Sequence, residues 1–440
     1  MSTKHFSHGF KVIVKSNIRH SDIKTNAFGG LNLIYPKMIK SGFLDVVDSV
    51  LGKRVKQAKF SYSQILSSHI LGIFSGNKRI YHAGKHKRNL DNISGVEIPS
   101  PYTTSRIFRD LSVPNDHVPF DGKSGDHLIN NNDRMNSLLA LSGISLGLID
   151  PKADNVLDYD NTVVGNRKYD STRTYKRMER DFVYGYQPAL ASVSGTPFFI
   201  EGRSGHTGAQ SFIDKTTIRC VEQAKEHGVK ISKFRADSAS YNAKLMSYLN
   251  KEEIEFFISQ RKHKNLVDRI RWEVDDWVEG FWKGVPCSFG STEHTVTETK
   301  ETYRVVIKRM DNNGYNYSCI ITNNDDMSNE EVLKFYAMRG AEEKRFAELK
   351  NEFNFALCPF SLLEENTVFW IINSIAYNVY KYLLAIFQKG ISSLKKNSWL
   401  RVFKEIVIFH VVIMYSNGTV DVSNADEQTR KLFRKFWEDF

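Results

Sequence analysis

The sequence has few cysteines and no recognisable targeting segment, and these absences exclude several classes of protein. Its four cysteines lie far apart, since the nearest pair, Cys287 and Cys319, is separated by 32 positions. No closely spaced pair is available for zinc and no disulfide framework is indicated, so reduced thiols in an intracellular protein are expected. The first 24 residues lack the apolar run of a signal peptide. Phosphate-binding-loop, HExxH and GxSxG motifs are also absent, which argues against an ATPase, a zinc protease or an esterase.

One apolar run is long enough to need a membrane test. Residues 368–387 are largely apolar, but they include Asn373, Ser374, Asn378 and Lys381. Each of these side chains is costly in lipid, so a helix buried inside the protein is the better interpretation. We therefore expect a cytoplasmic protein without membrane segments.

The chain is long, and its positive charge is concentrated at one end. Its 440 residues exceed the usual size of one compact core, so two or three cores, or one core with insertions, are expected. With 41% hydrophobic residues the chain should fold as a globular protein. Residues 1–150 hold 20 basic and 11 acidic side chains, a balance of +9, so the remainder contributes only +2 of the total of +11. This asymmetry makes nucleic acid the leading partner.

The spacing of apolar residues predicts the order of helices and strands. Two helices are expected between residues 29 and 76. After them we predict a helix at 102–109, a loop at 113–133, a helix at 135–148, a strand at 155–164, a hairpin of 188–193 and 197–201, a helix at 210–227, a strand at 230–236, a helix at 239–250 and a strand at 254–259. This order implies a mixed sheet covered by helices. Residues 266–322, which contain three tryptophans and a strong hairpin signal at 311–314, are predicted to form a β-rich insertion.

The helix predicted at 102–109 follows a basic run and carries two arginines. Thr103, Thr104 or Ser105 could cap it, while Arg106 and Arg109 would project from its first turns toward DNA phosphates or base edges. The alternative is a solvated helix with two surface arginines. The preceding basic run consists of Lys78, Arg79, Lys85, His86, Lys87 and Arg88.

Three aspartates fall on or after predicted strands. Asp158 and Asp160 are two residues apart, so their side chains share one face of the sheet. Asp237 directly follows the strand at 230–236, at the end where open α/β sheets hold ligands. If the two strands are neighbours, the clustered carboxylates would repel each other unless a divalent metal ion bound them. For any single aspartate at a strand end, a turn or a helix cap is the simpler interpretation.

A third acidic residue lies on a predicted helix with a polar stripe. The capping box at 328–331 opens this helix, which we extend to about residue 353 despite a glycine at 340. Tyr336, Arg339, Glu343 and Lys350 fall within about 60° of one another on the helical wheel. Such a stripe could be a solvated face with an ordinary i,i+4 ion pair. A glutamate flanked by a tyrosine and two cations fits better beside the phosphodiester of a metal-dependent site.

The spacing Y-(2)-R-(3)-E-(6)-K of this stripe resembles the signature of bacterial insertion-sequence transposases with an Asp-Asp-Glu triad, in the branch related to piggyBac transposases. Asp160-Asn-Thr matches the motif around the first catalytic aspartate, and Arg235-Ala-Asp237 matches the region around the second. Further similarities lie at 26–31, 185–188, 321–323 and 373–380. Asp158 remains the rival for the first aspartate, since it shares the strand face with Asp160.

The resemblance implies the roles of the site residues. Asp160, Asp237 and Glu343 would be both the catalytic residues and the metal ligands, with Mg²⁺ as the cofactor and Mn²⁺ able to substitute. Arg339 and Lys350 would bind phosphate, and Tyr336 would position the substrate. No nucleotide cofactor is expected.

The resemblance also implies a reaction and a domain organisation. The expected activity is cut-and-paste DNA transposition: a homodimer on double-stranded DNA binds the inverted-repeat ends, cleaves them with two metal ions through a hairpin, and joins the 3′ ends to target DNA in the bacterial nucleoid. Alternatives are a ribonuclease-H-like DNA endonuclease without strand transfer and a transposase-derived, non-catalytic DNA-binding regulator. Since all three acidic residues are present, the regulator is disfavoured.

The expected fold class is α/β, with a ribonuclease-H-like mixed-sheet core interrupted by the β-rich insertion. The predicted segments are a basic, mainly helical DNA-end-binding region at 1–150, two parts of the core at 151–265 and 323–390, the insertion at 266–322, and a C-terminal α/β segment at 391–440. The cysteine-rich tail of the eukaryotic relatives is missing, so end recognition is assigned to residues 1–150.

Overall fold

A computed structural model describes residues 24–82, 87, 90, 93, 96–120, 125–176, 179–261, 264–311, 314–414, 420–422 and 427–437. The start of the N-terminal basic region, part of the basic run at 78–88 and the tip of the turn at 311–314 therefore lie outside the described residues. The described chain is a mixed α/β protein built around a sheet of eleven strands.

The strands form one large sheet and two small ones. They are β1 (Thr25–Asn26), β2 (Asp116–Pro119), β3 (Asp126–Asn131), β4 (Asn155–Asn161), β5 (Val164–Gly165), β6 (Thr172–Lys176), β7 (Asp181–Tyr186), β8 (Ala189–Val193), β9 (Thr196–Arg203), β10 (Ile231–Ala236), β11 (Glu255–Ser259), β12 (Val278–Trp282), β13 (Val285–Thr295), β14 (Thr302–Asp311), β15 (Tyr315–Thr322), β16 (Val412–Met414) and β17 (Val420–Val422). The large sheet has the order β12-β13-β14-β15-β11-β10-β4-β8-β9-β3-β2.

The centre of the large sheet has the ribonuclease-H-like arrangement. Strands β4, β8 and β9 form an antiparallel meander, while β10 and β11 lie on the other side of β4 and run parallel to it. Parallel strands need a crossover connection, which the helices between β9, β10 and β11 provide. The structure thus confirms the predicted fold class, including the hairpin of β8 and β9 around Ser194 and Gly195.

Helices cover both the core and its extensions. They are α1 (Leu31–Lys40), α2 (Phe43–Leu51), α3 (Tyr62–Phe74), α4 (Pro101–Asp110), α5 (Asp133–Ser145), α6 (Ile213–Glu226), α7 (Ala243–Lys251), α8 (Lys264–Glu273), α9 (Asn329–Ala337), α10 (Gly340–Glu352), α11 (Leu363–Phe387), α12 (Leu400–Phe403) and α13 (Glu427–Trp437), with a 3₁₀ turn at Ser238–Ser240 and a π-helical turn at Lys404–Ile408.

Helix α11 contains the long apolar run and lies buried in the protein. It packs on α5 and β9, and two of its polar side chains form hydrogen bonds with neighbours: Asn373 Oδ1 meets the Nε2 atom of His69 at 2.9 Å, and the Asn378 amide donates to Ser142 Oγ at 2.9 Å. The prediction of a helix buried in protein is confirmed. Within the described part of the chain, no helix is long and apolar enough to cross a membrane.

The beginning of the described chain packs against its C-terminal segment. Strand β1 pairs with β16, and the amide of Gly30 donates to the carbonyl oxygen of Ile408 at 3.2 Å. A Cβ atom on Gly30 would lie 1.7 Å from the carbonyl oxygen of Val407, so no larger residue fits without a backbone shift. The sequence similarity at 26–31 therefore coincides with a close approach of two backbones.

The structure corrects one prediction about strands and adds to another. Residues 113–133, predicted as a loop, contain β2 and β3, which extend the large sheet beyond β9. The insertion at 266–322 begins with helix α8, and its strands continue the large sheet through the pairing of β15 with β11. In both cases the partner strand is distant in the sequence, so local patterning could not show the pairing. Strands β2 and β3, near the end of the segment 1–150, thus belong to the large sheet, and helix α5 packs on strand β9 of that sheet.

Three further differences are local. The single helix predicted at 328–353 is two helices, α9 and α10, because the chain tightens into i→i+3 hydrogen bonds around Arg339. Helix α4 is capped by Ser100, whose Oγ accepts from the amide of Thr103, and Pro101 occupies its first turn; none of the three residues predicted as caps has that role. The small sheet of β5, β7 and β6 has no counterpart among the predicted elements.

Candidate active site

Two of the predicted acidic residues lie side by side at the end of adjacent parallel strands. Tyr159 of β4 is in register with Ala236 of β10, so the next residue on each strand is Asp160 and Asp237. Neighbouring strands are about 4.8 Å apart, which brings the two carboxylates to the same edge of the sheet. The predicted pairing of these strands is confirmed.

Asp160 is largely buried and tightly bound. One carboxylate oxygen accepts from the amide of Asn161 at 2.8 Å, and the other lies 3.1 Å from a guanidinium nitrogen of Arg339. Burial raises the pKa of Asp160, Arg339 opposes this rise, and the carboxylates of Asp237 and Glu343 add to it. The site therefore concentrates negative charge that a cation must compensate, and Arg339 supplies part of that compensation.

Asp237 has a second local role as a cap. Its Oδ1 atom accepts from the amide of Ala239 at 2.9 Å and thereby opens the 3₁₀ turn after β10. The simpler interpretation of an aspartate at a strand end thus also applies to Asp237. The cap uses one oxygen of this carboxylate, and the residue still lines the groove beside Asp160.

Arg339 lies at the break between α9 and α10 and points into the protein. It is 8% exposed, donates to the carbonyl oxygen of Tyr159 at 3.2 Å, and forms the ion pair with Asp160. Its Nε atom is buried and has no hydrogen-bond partner among the described residues. The break in the helix thus places the guanidinium directly on the strand that carries Asp160.

Tyr336 and Lys350 face the same region from α9 and α10. Burial raises the pKa of Tyr336, with Arg339 acting against the rise and Asp237 and Asp160 adding to it. Burial lowers the pKa of Lys350, Lys176 lowers it further, and Asp160 opposes this effect. Both side chains are therefore close enough to the aspartates to interact with them electrostatically. The predicted stripe and strand residues thus meet at the edge of the sheet.

Glu343 is the least integrated of the predicted site residues. It is exposed on the first turn of α10, although it lies near enough to Asp160 to raise the pKa of that carboxyl. Among the described residues, no group of three or more histidine, cysteine, aspartate or glutamate side chains is arranged to hold a metal ion. The donor chemistry nevertheless suits a hard divalent cation, because Asp160, Asp237 and Glu343 offer only carboxylate oxygens.

The structure gives Asp158 a different role from Asp160. Asp158 is 3% exposed, and both of its oxygens accept from the guanidinium of Arg235 at 2.7 Å. Arg235 also donates to the carbonyl oxygen of Phe335 at 2.8 Å and lies 4.8 Å from the centre of its ring. With both oxygens occupied, Asp158 serves as an anchor between β4, β10 and α9. Asp160 is the aspartate that remains at the groove.

Arg235 is a residue whose importance sequence reasoning missed. The sequence identifies it only as part of the motif around Asp237, yet it fixes the end of α9 against the sheet. The alternation along 231–236 could have shown that it shares a face with Lys233 and Asp237. Its partner on the neighbouring strand, Asp158, could not be identified without the register.

A groove of about 690 Å³ is lined by the two aspartates and by residues of the small sheet. Lys350 also lines it. Its wall includes residues of β6 and β7, of the loop after β9 and of the segment after β11, none of which the sequence patterns pointed to: Arg173, Tyr175, Lys176, Phe182, His206 and Arg261. The groove is open and carries charged side chains along its wall, as binding of an extended charged chain requires.

The two arginines predicted for DNA contact lie on the surface of α4. Arg109 has a side chain that is 79% exposed and pairs with Glu365 at 3.0 Å. Arg106 is 63% exposed and lies 3.7 Å from Asp110. Both remain accessible to a ligand, and both already have an acidic partner, so their role in DNA binding stays a prediction.

This fold and carboxylate pair define a ribonuclease-H-like α/β protein with its candidate site at the ends of β4 and β10. Residues 127–398, more than half of the chain, match the family described as transposase DDE domain group 1, and the chain therefore belongs to that family. It is a DNA transposase of the DDE class, which confirms the resemblance found in the sequence. Bacterial origin stays a prediction.

Comparison with solved structures finds two transposase complexes at low sequence identity. A piggyBac transposase synaptic complex with hairpin DNA is 10% identical, with coverage of 85% of this chain and 78% of that chain and a TM-score of 0.42. A Drosophila P element transposase strand transfer complex is 15% identical, with coverage of 57% and 52% and a TM-score of 0.24. No curated protein sequence matches the chain.

Proposed function

We propose that this DNA transposase acts by a cut-and-paste reaction at the groove beside Asp160 and Asp237. It would bind the inverted-repeat ends of its element and use water to cleave one strand at each end. The released 3′-hydroxyl would attack the opposite strand, which forms a hairpin and releases the flanking DNA. Water would then open the hairpin, and the regenerated 3′-hydroxyl would attack target DNA. The observation that carries the proposal is that Asp160 and Asp237 are neighbours in the register of β4 and β10, with Arg339 paired to Asp160 and Lys350 lining the same groove.

The proposed site would use two divalent metal ions, Mg²⁺ or in their place Mn²⁺, held by Asp160, Asp237 and Glu343. When bound, such ions would activate the attacking oxygen and stabilise the leaving oxygen. Glu343 would supply a carboxylate from the helix side, and the ion pair with Arg339 opposes the rise that burial causes in the pKa of Asp160. This assignment agrees with the DDE family, whose members generally use divalent ions.

The remaining residues of the signature act on the DNA in this proposal. Lys350 lines the groove and would neutralise oxygens of the scissile phosphate, together with the guanidinium of Arg339. Tyr336 would position the phosphate from the end of α9. A homodimer that pairs two element ends, operating on the bacterial nucleoid, completes the proposal and rests on the family resemblance alone.

The test is DNA cleavage and strand transfer by purified protein, with the genomic DNA that flanks its gene as the substrate. Asp160→Ala, Asp237→Ala and Glu343→Ala should each abolish Mg²⁺-dependent cleavage while end binding persists. Matched controls are Asp154→Ala, just before β4, and Glu330→Ala on α9, which pair with Lys230 and Lys334 and should leave cleavage unchanged.

The outcomes separate the competing functions. Wild-type rates in any one of the three variants would remove that residue from the site. Cleavage without joining of the 3′ ends to a second DNA would favour the endonuclease. End binding by the wild-type protein without any cleavage in Mg²⁺ or Mn²⁺ would favour the regulator.

A further inference from the structure

The small sheet of β5, β7 and β6 presents an unusual outer face. Tyr175 of β6 is directly opposite Phe182 of β7, and Arg173 is opposite Tyr184. Since side chains alternate along a strand, these four project from the same face, which we call the aromatic face. Thr174, which points the opposite way, is buried.

The rings of the aromatic face are exposed to solvent although they are in contact with one another. Tyr175 is 47% exposed, Phe182 54% and Tyr184 57%. The Tyr175 and Phe182 rings meet edge to face with their centroids 5.2 Å apart, and the guanidinium of Arg173 lies 4.3 Å from the Phe182 centroid. Three exposed rings and a cation on one face form a surface patch of the kind that binds a partner.

The aromatic face is continuous with the candidate active site. Arg173, Tyr175 and Phe182 line the same groove as Asp160 and Lys350. Lys176, at the end of β6, lies close enough to Lys350 to lower the pKa of that amine. The aromatic face and the proposed position of the scissile phosphate therefore share one groove.

The charge and the side-chain chemistry of this segment indicate which kind of partner the aromatic face binds. The segment 164–187 holds six lysines and arginines against three acidic residues, together with five tyrosines and phenylalanines. Exposed rings bind the faces of nucleobases by stacking, and neighbouring cations bind the phosphates between them. In a paired duplex the base faces are covered by their neighbours, so stacking on protein rings requires unpaired bases.

We propose that the aromatic face, Arg173, Tyr175, Phe182 and Tyr184, binds unpaired bases of the DNA strand next to the cleavage point. This inference rests on the proposed function, because it takes the groove to be where DNA is cleaved. Stacking here holds the separated strand along the groove and thereby keeps the scissile phosphate beside Asp160 and Lys350.

The test compares two DNA probes that differ only at the end, a short blunt duplex and the same duplex with a few unpaired nucleotides. Binding is measured in Ca²⁺ at fixed salt, and 2-aminopurine in the unpaired segment reports stacking as fluorescence quenching. The wild-type protein should prefer the unpaired end and quench the probe. Combined substitution Tyr175→Ala, Phe182→Ala and Tyr184→Ala should remove both effects, with a loss of about five-fold or more for each ring, and leave blunt-duplex affinity unchanged.

Two further variants test whether the loss comes from stacking on these rings. One controls for misfolding of the combined variant, and the other for the loss of an exposed ring elsewhere on the surface. Tyr175→Phe combined with Tyr184→Phe keeps the rings and should keep the preference and the quenching. Phe281→Ala removes a ring that is 67% exposed on β12, six strands from β4 in the large sheet and thus about 29 Å away. This control should behave as wild type.

Three other results would overturn the proposal, and they can be told apart. Equal wild-type binding of both probes without quenching would refute the aromatic face as a base-binding surface and leave the transposase function intact. A failure of the wild-type protein to bind either probe would remove the proposed function as well. If the combined variant changes the oligomeric state without DNA while the preference persists, the face is an interface between copies of this chain.

Discussion

A substitution at Lys350 tests whether cleavage depends on the position of one charge or only on positive charge in general. It is half-buried on α10 and lines the groove beside Asp160. Removing one preorganised charge-stabilising group typically lowers the chemical rate ~10²-fold or more, which corresponds to about 2.7 kcal/mol in the activation free energy. We expect this loss in the cleavage rate of Lys350→Ala, with little change in the affinity for a long end duplex, whose other phosphate contacts persist.

The matched control removes the same charge from a neighbouring helix. Lys334 on α9 is 62% exposed and pairs with Glu330 at 2.8 Å. Such an i,i+4 surface pair contributes only about 0.3–0.5 kcal/mol, so Lys334→Ala should fold and cleave like the wild-type protein. Single-turnover cleavage and filter binding, measured side by side on both variants, give the comparison.

The pH dependence of cleavage gives a second, independent test of the role of Lys350. Burial and the nearby Lys176 lower the pKa of Lys350. An amine is cationic below its pKa, so kcat/KM for cleavage should decline on the alkaline side at a lower pH than an ordinary lysine would give. Lys176→Ala removes a like charge, raises the pKa of Lys350, and should shift this alkaline limb to higher pH. Equal losses in Lys334→Ala and Lys350→Ala, or an alkaline limb that Lys176→Ala leaves in place, would refute the assignment.

Three further predictions concern stability and DNA affinity. Arg235→Ala leaves Asp158 buried without a partner and should cost about 3–5 kcal/mol in the free energy of unfolding, as measured by urea titration; unchanged stability would show that Asp158 is not anchored by this pair. Gly30→Ala should cost about 1–3 kcal/mol by the same method, because its Cβ meets the backbone of Val407; a midpoint equal to that of the wild-type protein would contradict the close approach. Lys78→Ala with Arg79→Ala should make end binding less dependent on salt, with the slope falling by about 0.9 for each phosphate that the variant no longer neutralises; an identical slope would place end recognition elsewhere.

The sequence alone determined the features that depend on neighbours in the chain. The residue pattern at 155–164 predicts a strand that contains Asp160, and the pattern at 230–236 predicts a strand that Asp237 follows; β4 and β10 match both predictions. The capping box predicted at Ser328 is present, with Ser328 and Glu331 each bonding the other's backbone amide. Polar residues within the apolar run predict a helix buried in protein, and α11 is buried. Hydrophobic periodicity, helix caps and local composition depend on residues only a few positions apart, so the local sequence is sufficient to determine these elements.

Only the tertiary structure decided between residues with the same local pattern. Asp158 and Asp160 share one strand face, and their roles separate because Arg235 of the neighbouring strand pairs with the first and Arg339 of the signature helices with the second. The insertion at 266–322 was expected to be β-rich, but its membership of the large sheet depends on the pairing of β15 with β11. The aromatic face likewise exists only because β6 and β7 pair in one register. Each of these features needs contacts between strands or helices whose positions the fold sets, and no local pattern carries that information.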